Sequence, residues 1–262
     1  MKSDLVVVKL GGSLITDKDR PLTLNYEGMR SSAKAIALAM RHRRNQSLMI
    51  IHGGGSFGHY YASKYHLSMD KKKVSAIGPS KIAASMIWLH SALISELIKE
   101  GVSCKTVFTS ELVSPDGDRV TRQGADTLWA LFKSGFVPVT FGNISITTRG
   151  SSIISGDQIA LSVAKKVGIK RMIFAMDVDG IYPDSKLKGD ILRELTRPRG
   201  TSSKHRRYDV TGGIDAKIEA GFRIARNGSK VFYVNGLKQE RLRRLIEGKE
   251  NVLCTRINPN NI

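Results

Sequence analysis

Short apolar runs alternate with longer amphipathic stretches along most of this chain. The short runs are typical of buried strands and the longer ones of helices, and their alternation favours an α/β fold with a mostly parallel sheet. The predicted strands are 5–10, 48–51, 105–108, 137–141, 171–176 and 230–234; the predicted helices are 26–42, 81–100, 127–134, 158–167, 214–227 and 239–247. Glycines at the ends of several helices, such as Gly101, Gly135, Gly168, Gly228 and Gly248, are expected stop signals. The irregular stretch 184–207 is expected to be a mobile or hairpin-like insertion.

The composition is that of a globular protein. Of the 262 residues, 41% are hydrophobic and 25% are charged, which excludes an intrinsically disordered chain. No uninterrupted apolar run approaches the ~18 residues of a membrane span, and the N-terminus does not resemble a signal peptide. We therefore expect a cytoplasmic protein without membrane contact. Cys104 and Cys254 lie far apart in sequence, which predicts packing roles rather than a disulfide or zinc site.

The chain is strongly basic, with 42 lysine and arginine residues against 23 aspartate and glutamate residues, a formal net charge of +19. Clustered basic side chains bind nucleic acid by releasing counterions from its phosphates. However, the basic clusters here are not interleaved with the aromatic side chains on which single-strand binders stack bases. We therefore favour solvated basic faces, and attraction of a small phosphorylated substrate, over nucleic acid as the main partner.

Three glycine-rich segments stand where an α/β sheet would bind a ligand, beyond a strand or at the start of a helix. Glycine there lets the backbone approach an anion and point its N–H groups toward it. No segment matches the P-loop pattern, and the second contains G-x-G-x-x-G without the acidic residue that a dinucleotide site needs about 20 positions later. The segments are Lys9-Leu10-Gly11-Gly12-Ser13, His52-Gly53-Gly54-Gly55-Ser56-Phe57-Gly58-His59 and Thr211-Gly212-Gly213-Ile214-Asp215-Ala216-Lys217.

Charged side chains accompany these segments. Lys9 closes an apolar strand, a costly position unless an anion is its partner. Asp177 directly follows the predicted strand 171–176, whereas Asp157 could be either a helix cap or a member of the site. Lysines and aspartates around three anion-binding loops suit phosphoryl transfer, which needs mainly positioning and charge neutralisation.

Taken in order, these motifs resemble the amino acid kinase superfamily. The shared features are Lys-x-Gly-Gly-Ser, the Gly-Gly-Gly loop, Ser-Gly-Asp, Asp-Val-Asp-Gly-Ile-Tyr and Thr-Gly-Gly-x-x-x-Lys, and they extend from about Val6 to Ile257. Within that superfamily, the string from His52 to His59 is similar to that of the archaeal isopentenyl phosphate kinases.

The resemblance implies a three-layer α/β/α sandwich formed by a single domain, 1–262. Its part up to about residue 150 would lie on the acceptor side, and the part from about 151 onward on the nucleotide side. The implied reaction transfers phosphate from ATP, with Mg²⁺, to isopentenyl phosphate, giving isopentenyl diphosphate for isoprenoid biosynthesis. A homodimer is expected by the same analogy.

The resemblance also implies roles for individual residues. Lys18 would stabilise the transition state, and a protonated His59 would donate to the acceptor phosphate. No residue is assigned as a direct metal ligand. The nucleotide would be bound by Lys9, Gly11, Gly12, Ser13, Gly55, Asp177, Tyr182, Gly213 and Lys217, with Lys9 also catalytic, and the acceptor phosphate by Gly54, His59 and Gly156.

Two alternatives stay open at this stage. One is a kinase of the same fold that acts on another phosphate or a phosphonate, like the fosfomycin kinases; the other is a non-catalytic nucleotide- or RNA-binding protein. Two departures from the family pattern bear on the acceptor and on turnover: Asn143 stands where relatives usually have aspartate, and Met176 where they usually have threonine.

Overall fold

The structure is a computed structural model that describes residues 4–42, 46–65, 76–148, 150–184, 189–198 and 213–258. The strands are β1 (Val6–Leu10), β2 (Leu48–His52), β3 (Cys104–Thr106), β4 (Val137–Phe141), β5 (Asn143–Thr147), β6 (Gly150–Ile154), β7 (Arg171–Met176), β8 (Glu194–Leu195), β9 (Lys230–Asn235) and β10 (Thr255–Ile257). The helices are α1 (Gly12–Ile15), α2 (Tyr26–His42), α3 (Gly55–Lys64), α4 (Ile77–Lys99), α5 (Thr109–Leu112), α6 (Arg122–Lys133), α7 (Gly156–Lys166), α8 (Gly213–Arg226) and α9 (Gln239–Ile246).

Within the described residues, eight strands form one sheet in the order β3-β4-β2-β1-β7-β9-β10-β8. Strand β1 lies near its centre and runs parallel to both β2 and β7, whereas β10 is antiparallel to β9. The prediction of a mostly parallel sheet is therefore confirmed. Because β1, β2 and β7 are parallel neighbours, the segments that follow them meet at the same edge.

Each face of the sheet has its own hydrophobic core, and this confirms the three-layer arrangement. Val6, Val8 and Leu10 pack into a core with side chains of α2, α4 and α9. Leu5 and Val7, which point to the other face, pack with side chains of α6, α7 and α8. This division follows the period-two alternation of side chains along a strand.

All six predicted strands and six predicted helices are present, with corrected ends. Helix α4 begins at Ile77 rather than at residue 81 because Pro79 lies in its first turn, where a proline costs no hydrogen bond. Helix α6 begins at Arg122 rather than at 127, since the Thr121 hydroxyl accepts a hydrogen bond from the Gly124 N–H. Strand β3 ends at Thr106 rather than at residue 108. The five predicted stop glycines all have a positive φ.

Several elements were not predicted. Two of the glycine-rich segments lead into helices, α1 and α3, and β5 and β6 form a separate antiparallel hairpin. Leu192, in the stretch expected to be an insertion, forms an antiparallel bridge with Ile181, which precedes that stretch. Residues 185–188 and 199–207 of that stretch lie outside the described residues.

Among the described helices, α4 is long and apolar enough to meet a length-and-composition test for a membrane span, and 44% of the window that meets it is buried within the protein. Leu89, Leu93 and Leu97 on this helix are fully buried in the core that it shares with α2 and the sheet. A core helix of a folded domain passes the same test, so the finding is weak support for a membrane role.

Candidate active site

The first two glycine-rich segments pack against each other, backbone to backbone. A Cβ placed on Gly12 would lie 2.2 Å from the Gly55 amide nitrogen and 2.5 Å from the Gly55 Cα. Gly55 also has a φ of +47°, which favours glycine, and a Cβ there would lie 2.1 Å from the Thr16 Oγ1. Glycine at both positions is therefore required for the two segments to approach this closely.

Thr16 joins these segments through its buried hydroxyl group. The Thr16 Oγ1 donates to the Gly12 carbonyl at 2.8 Å and accepts from the Ser56 N–H at 3.0 Å. The sequence analysis did not identify Thr16, because a threonine next to a short helix carries no distinctive pattern. Its role depends on a contact between residues 40 positions apart.

A buried ion pair lies behind the loops. The Lys9 Nζ is 2.6 Å from the Asp157 Oδ1, and Lys9 is only 5% exposed. Burial is the largest influence on Lys9 and lowers its pKa to about 8; Asp157 opposes that shift, and nearby Lys217 adds to it. Burial would raise the pKa of Asp157, but the charges of Lys9 and Lys217 outweigh it, so the pKa lies below its usual value. Two lysines thus share one aspartate, which leaves a net positive charge for an anionic ligand.

This geometry decides between the two interpretations of Asp157. Ser155 is the residue that caps α7, since its side chain accepts from the Gln158 N–H. The helix-cap interpretation of Asp157 is therefore wrong, and Asp157 joins the site as the partner of Lys9.

A second carboxylate links the first loop to the end of β7. The Asp177 Oδ1 accepts from the Ser13 hydroxyl at 2.8 Å, and the Asp177 Oδ2 lies 3.4 Å from the Lys18 Nζ. The Gly11 N–H donates to the Ala175 carbonyl at 2.8 Å, which holds the loop against β7. Ser13 and Lys18 are thereby oriented around the same strand end.

The start of α7 completes one wall. Gly156 is its first residue, and a Cβ there would lie 3.3 Å from the Lys9 Cε and 3.2 Å from the Ile51 Cγ2. The absence of a side chain lets the positive end of the helix dipole approach Lys9, where both would attract an anion.

The remaining predicted residues lie on adjoining segments. Gly54 precedes α3 and His59 lies on that helix, half-buried, about one turn after Gly55. Tyr182 is half-buried and follows Asp177 by five residues, and Gly213 is the first residue of α8, one turn before Lys217. Thr211 and Gly212 of the third glycine-rich segment lie outside the described residues.

The two histidines that flank the Gly-Gly-Gly segment differ in burial, since His59 is half-buried and His52 is not exposed. His52 is fully buried, and its Nε2 is 3.1 Å from the His90 Nδ1. His52 lies in the interior because it ends a strand that is buried on both faces.

The donor set fits a Mg²⁺ ion that enters with a nucleotide. In the described ranges, no cluster of three or more histidine, cysteine, aspartate or glutamate residues could form an all-protein cage. Mg²⁺ commonly takes one or two carboxylates together with substrate phosphates and waters. Asp177, with the Ser13 hydroxyl beside it, offers such oxygen ligands at the mouth of the first loop.

Comparison with known proteins identifies the family. Residues 4–235 match the sequence profile of the amino acid kinase family. The isopentenyl phosphate kinase of Methanocaldococcus jannaschii is 30% identical over 94% of this chain and 96% of its own length. That of Thermoplasma acidophilum is 33% identical over 96% of this chain and 99% of its own.

A solved structure provides the same comparison in three dimensions. The T. acidophilum isopentenyl phosphate kinase in a product complex superposes with a TM-score of 0.77 and 29% identity, covering 97% of this chain and 100% of that one. Sequence profile, relatives and fold thus agree along nearly the whole length. The chain therefore belongs to the amino acid kinase family and is similar to isopentenyl phosphate kinases.

Proposed function

We propose that this protein transfers the γ-phosphoryl group of ATP to isopentenyl phosphate, giving isopentenyl diphosphate and ADP. An oxygen of the substrate phosphate attacks the γ-phosphorus, and a new P–O bond forms as the bond to the β–γ bridging oxygen breaks. The observation that carries the proposal is the cluster of Lys9, Asp157 and Lys217 behind two glycine loops. Its excess positive charge suits a reaction that brings two anionic phosphates together.

We assign different roles in nucleotide binding and phosphoryl transfer to different residues of the site. Lys9, Lys217 and the N–H groups of the first loop would hold the β- and γ-phosphates. Lys18 is half-exposed and lies at the loop mouth beside Asp177, where its ammonium group could follow charge that develops on the transferred group. When bound with the nucleotide, Mg²⁺ would neutralise charge on the β- and γ-phosphate oxygens, with Asp177 and Ser13 as its nearby oxygen ligands.

The acceptor would bind at the start of α3. Gly54 and Gly55, at the start of that helix, offer N–H groups to a phosphate, and His59 adds an imidazole one turn further on. Donation from a protonated His59 would offset repulsion between the two reacting anions. The substrate needs no general base, because its phosphate already carries the attacking oxygen.

The sequence predicts an acceptor side before about residue 150 and a nucleotide side after it, and the roles proposed here follow that division only in part. The exceptions are the first loop and Gly55, which would serve the nucleotide from the N-terminal part, and Gly156, which would serve the acceptor from the C-terminal part. The position of the first loop follows from β1 lying between β2 and β7 in the sheet.

The experiment measures Mg²⁺-dependent ADP release from ATP with isopentenyl phosphate, dimethylallyl phosphate and fosfomycin offered separately. We expect turnover with isopentenyl phosphate, and a loss of about 10²–10³ in rate for His59→Ala and for Lys18→Ala. Matched controls are His42→Ala and Lys34→Ala, which change the same residue types on the exposed surface of α2. Turnover with fosfomycin alone would indicate the phosphonate kinase instead, and ATP binding without turnover the non-catalytic alternative.

A further inference from the structure

A chain of hydrogen bonds runs from the edge of the sheet to the acceptor loop through two buried histidines. The Thr106 Oγ1 is 2.8 Å from the His90 Nε2, the His90 Nδ1 is 3.1 Å from the His52 Nε2, and the His52 Nδ1 is 3.1 Å from the Gly53 carbonyl oxygen. Phe141 packs against both imidazole rings, with centroids 5.3 Å from that of His52 and 4.5 Å from that of His90.

With both rings neutral, the carbonyl at one end fixes every proton in this series of hydrogen bonds. The Gly53 carbonyl can only accept, so the His52 Nδ1 must donate and the His52 Nε2 must accept. The His90 Nδ1 therefore donates, and its Nε2 accepts from the Thr106 hydroxyl. Burial lowers the pKa of His52 to about 3 and that of His90 to about 4, so both rings are neutral near pH 7, as this arrangement requires.

The last hydrogen bond in the chain determines how the Gly53–Gly54 peptide is turned. The Gly53 N–H already donates to the Leu10 carbonyl at 3.0 Å, and His52 holds the carbonyl of the same residue. In a trans peptide the next N–H points opposite to the carbonyl, so the Gly54 N–H points away from the buried His52 ring. In the described part of the chain it donates to no protein acceptor.

The loop needs such a restraint because of its composition. Close contact with the first loop requires glycine in this segment, and consecutive glycines can rotate their peptide planes with little steric cost. We propose that His52, His90 and Thr106 form a positioning relay, in which neutral imidazoles in fixed tautomers hold the Gly53–Gly54 peptide so that its N–H faces the acceptor phosphate. This inference rests on the proposed function for the identity of that acceptor.

The relay is tested first by ¹⁵N NMR of the imidazole nitrogens in the wild-type protein near neutral pH. We expect both histidines to be neutral and protonated on Nδ1. A proton on the Nε2 of either ring, or a charged ring, would overturn the proposal. This measurement needs no substrate, so it decides the relay even if the protein does not phosphorylate isopentenyl phosphate.

Kinetics then test the positioning role with a matched pair of variants. His90→Phe keeps an aromatic ring beside Phe141 but removes the donor to His52, whereas His90→Asn retains an amide N–H in place of the Nδ1–H. We expect His90→Phe to raise KM for the acceptor phosphate about fivefold or more with KM for ATP unchanged, and His90→Asn to restore most of the loss.

The opposite kinetic result is equally specific. An equal rise of both KM values, or the same acceptor KM in the wild type and the phenylalanine variant, would refute the positioning role. If His90→Phe does not fold, Thr106→Val provides a second test. It removes the hydroxyl that donates to His90, at a half-buried position on the edge strand, with little change of side-chain shape. Thr106→Ser keeps a hydroxyl and should restore the acceptor KM.

Discussion

Replacing Asp157 with asparagine should move the alkaline limb of the enzyme's pH profile to lower pH. Lys9 is buried, and its pKa is already lowered to about 8 although Asp157, 2.6 Å away, raises it. In the free enzyme Lys9 therefore loses its proton as the pH rises through about 8, and with it the positive charge that we propose attracts the nucleotide phosphates. We expect kcat/KM for ATP, which reports groups of the free enzyme, to fall above that pH.

The size of the shift follows from the contact. An opposite charge at such a distance changes a pKa by about 1–3 units, so removing it should place the alkaline limb at about pH 5–7. Each unit corresponds to about 1.4 kcal/mol of lost preference for the charged form. Near pH 7.5, most Lys9 side chains in the variant would then be neutral and would bind phosphate weakly.

The assay compares kcat/KM for ATP between pH 5.5 and 9.5 in the wild type, Asp157→Asn and the control Glu219→Gln, which changes an exposed carboxylate on the helix of Lys217. Breaking a buried ion pair also costs about 3–5 kcal/mol of stability. The position of the limb does not depend on how much enzyme is folded, so this loss does not obscure the result. Limbs that coincide in the wild type and the asparagine variant would refute the reasoning.

Three further outcomes are expected. Gly12→Ala should lower activity about 10²-fold by forcing the two loops apart, while Gly58→Ala, whose new methyl group would lie 3.4 Å from a flexible methionine, should retain activity. The free energy of unfolding, measured in urea, should fall between pH 7.5 and 5 by up to about 2 kcal/mol for each of His52 and His90. Their pKa values in the folded protein lie below the value in the unfolded chain, so the unfolded chain binds protons first as the pH falls. A free energy that does not change with pH would contradict this prediction. Thr121→Ala should lower stability by about 1 kcal/mol in thermal unfolding, since it removes the cap of α6.

Much of the fold was predictable because its signals are local. Apolar runs marked β1, β2, β4, β7 and β9, and glycines with positive φ marked the helix ends. The hairpin of β5 and β6 escaped prediction because its strands are half-exposed and follow a buried strand after a single residue, Gly142. Helices α1 and α3 escaped because glycine at a helix start gives no propensity signal.

The loops of the site were predictable from the sequence, whereas the side-chain pairs between distant residues were not. The glycine pattern and the lysine at the end of β1 indicated an anion site from the sequence. That Asp157 pairs with Lys9, 148 positions away, and that His52 pairs with His90, 38 positions away, follows from the packing of the sheet and helices. Pairings of this kind leave no periodic trace in a single sequence.

Three locally unfavourable features meet at one edge of the sheet: a buried lysine, a run of three glycines and a pair of neutral buried histidines. Each costs stability through desolvation or through loss of backbone entropy, and such costs concentrate at functional sites. All three features are explained by a binding site for an anion. Lys9 supplies positive charge, the glycines let the backbone approach the anion, and we propose that His52 restrains the glycines. A phosphate bound there would favour the charged form of Lys9 and raise its pKa, so the ligand would offset the cost of burying that charge.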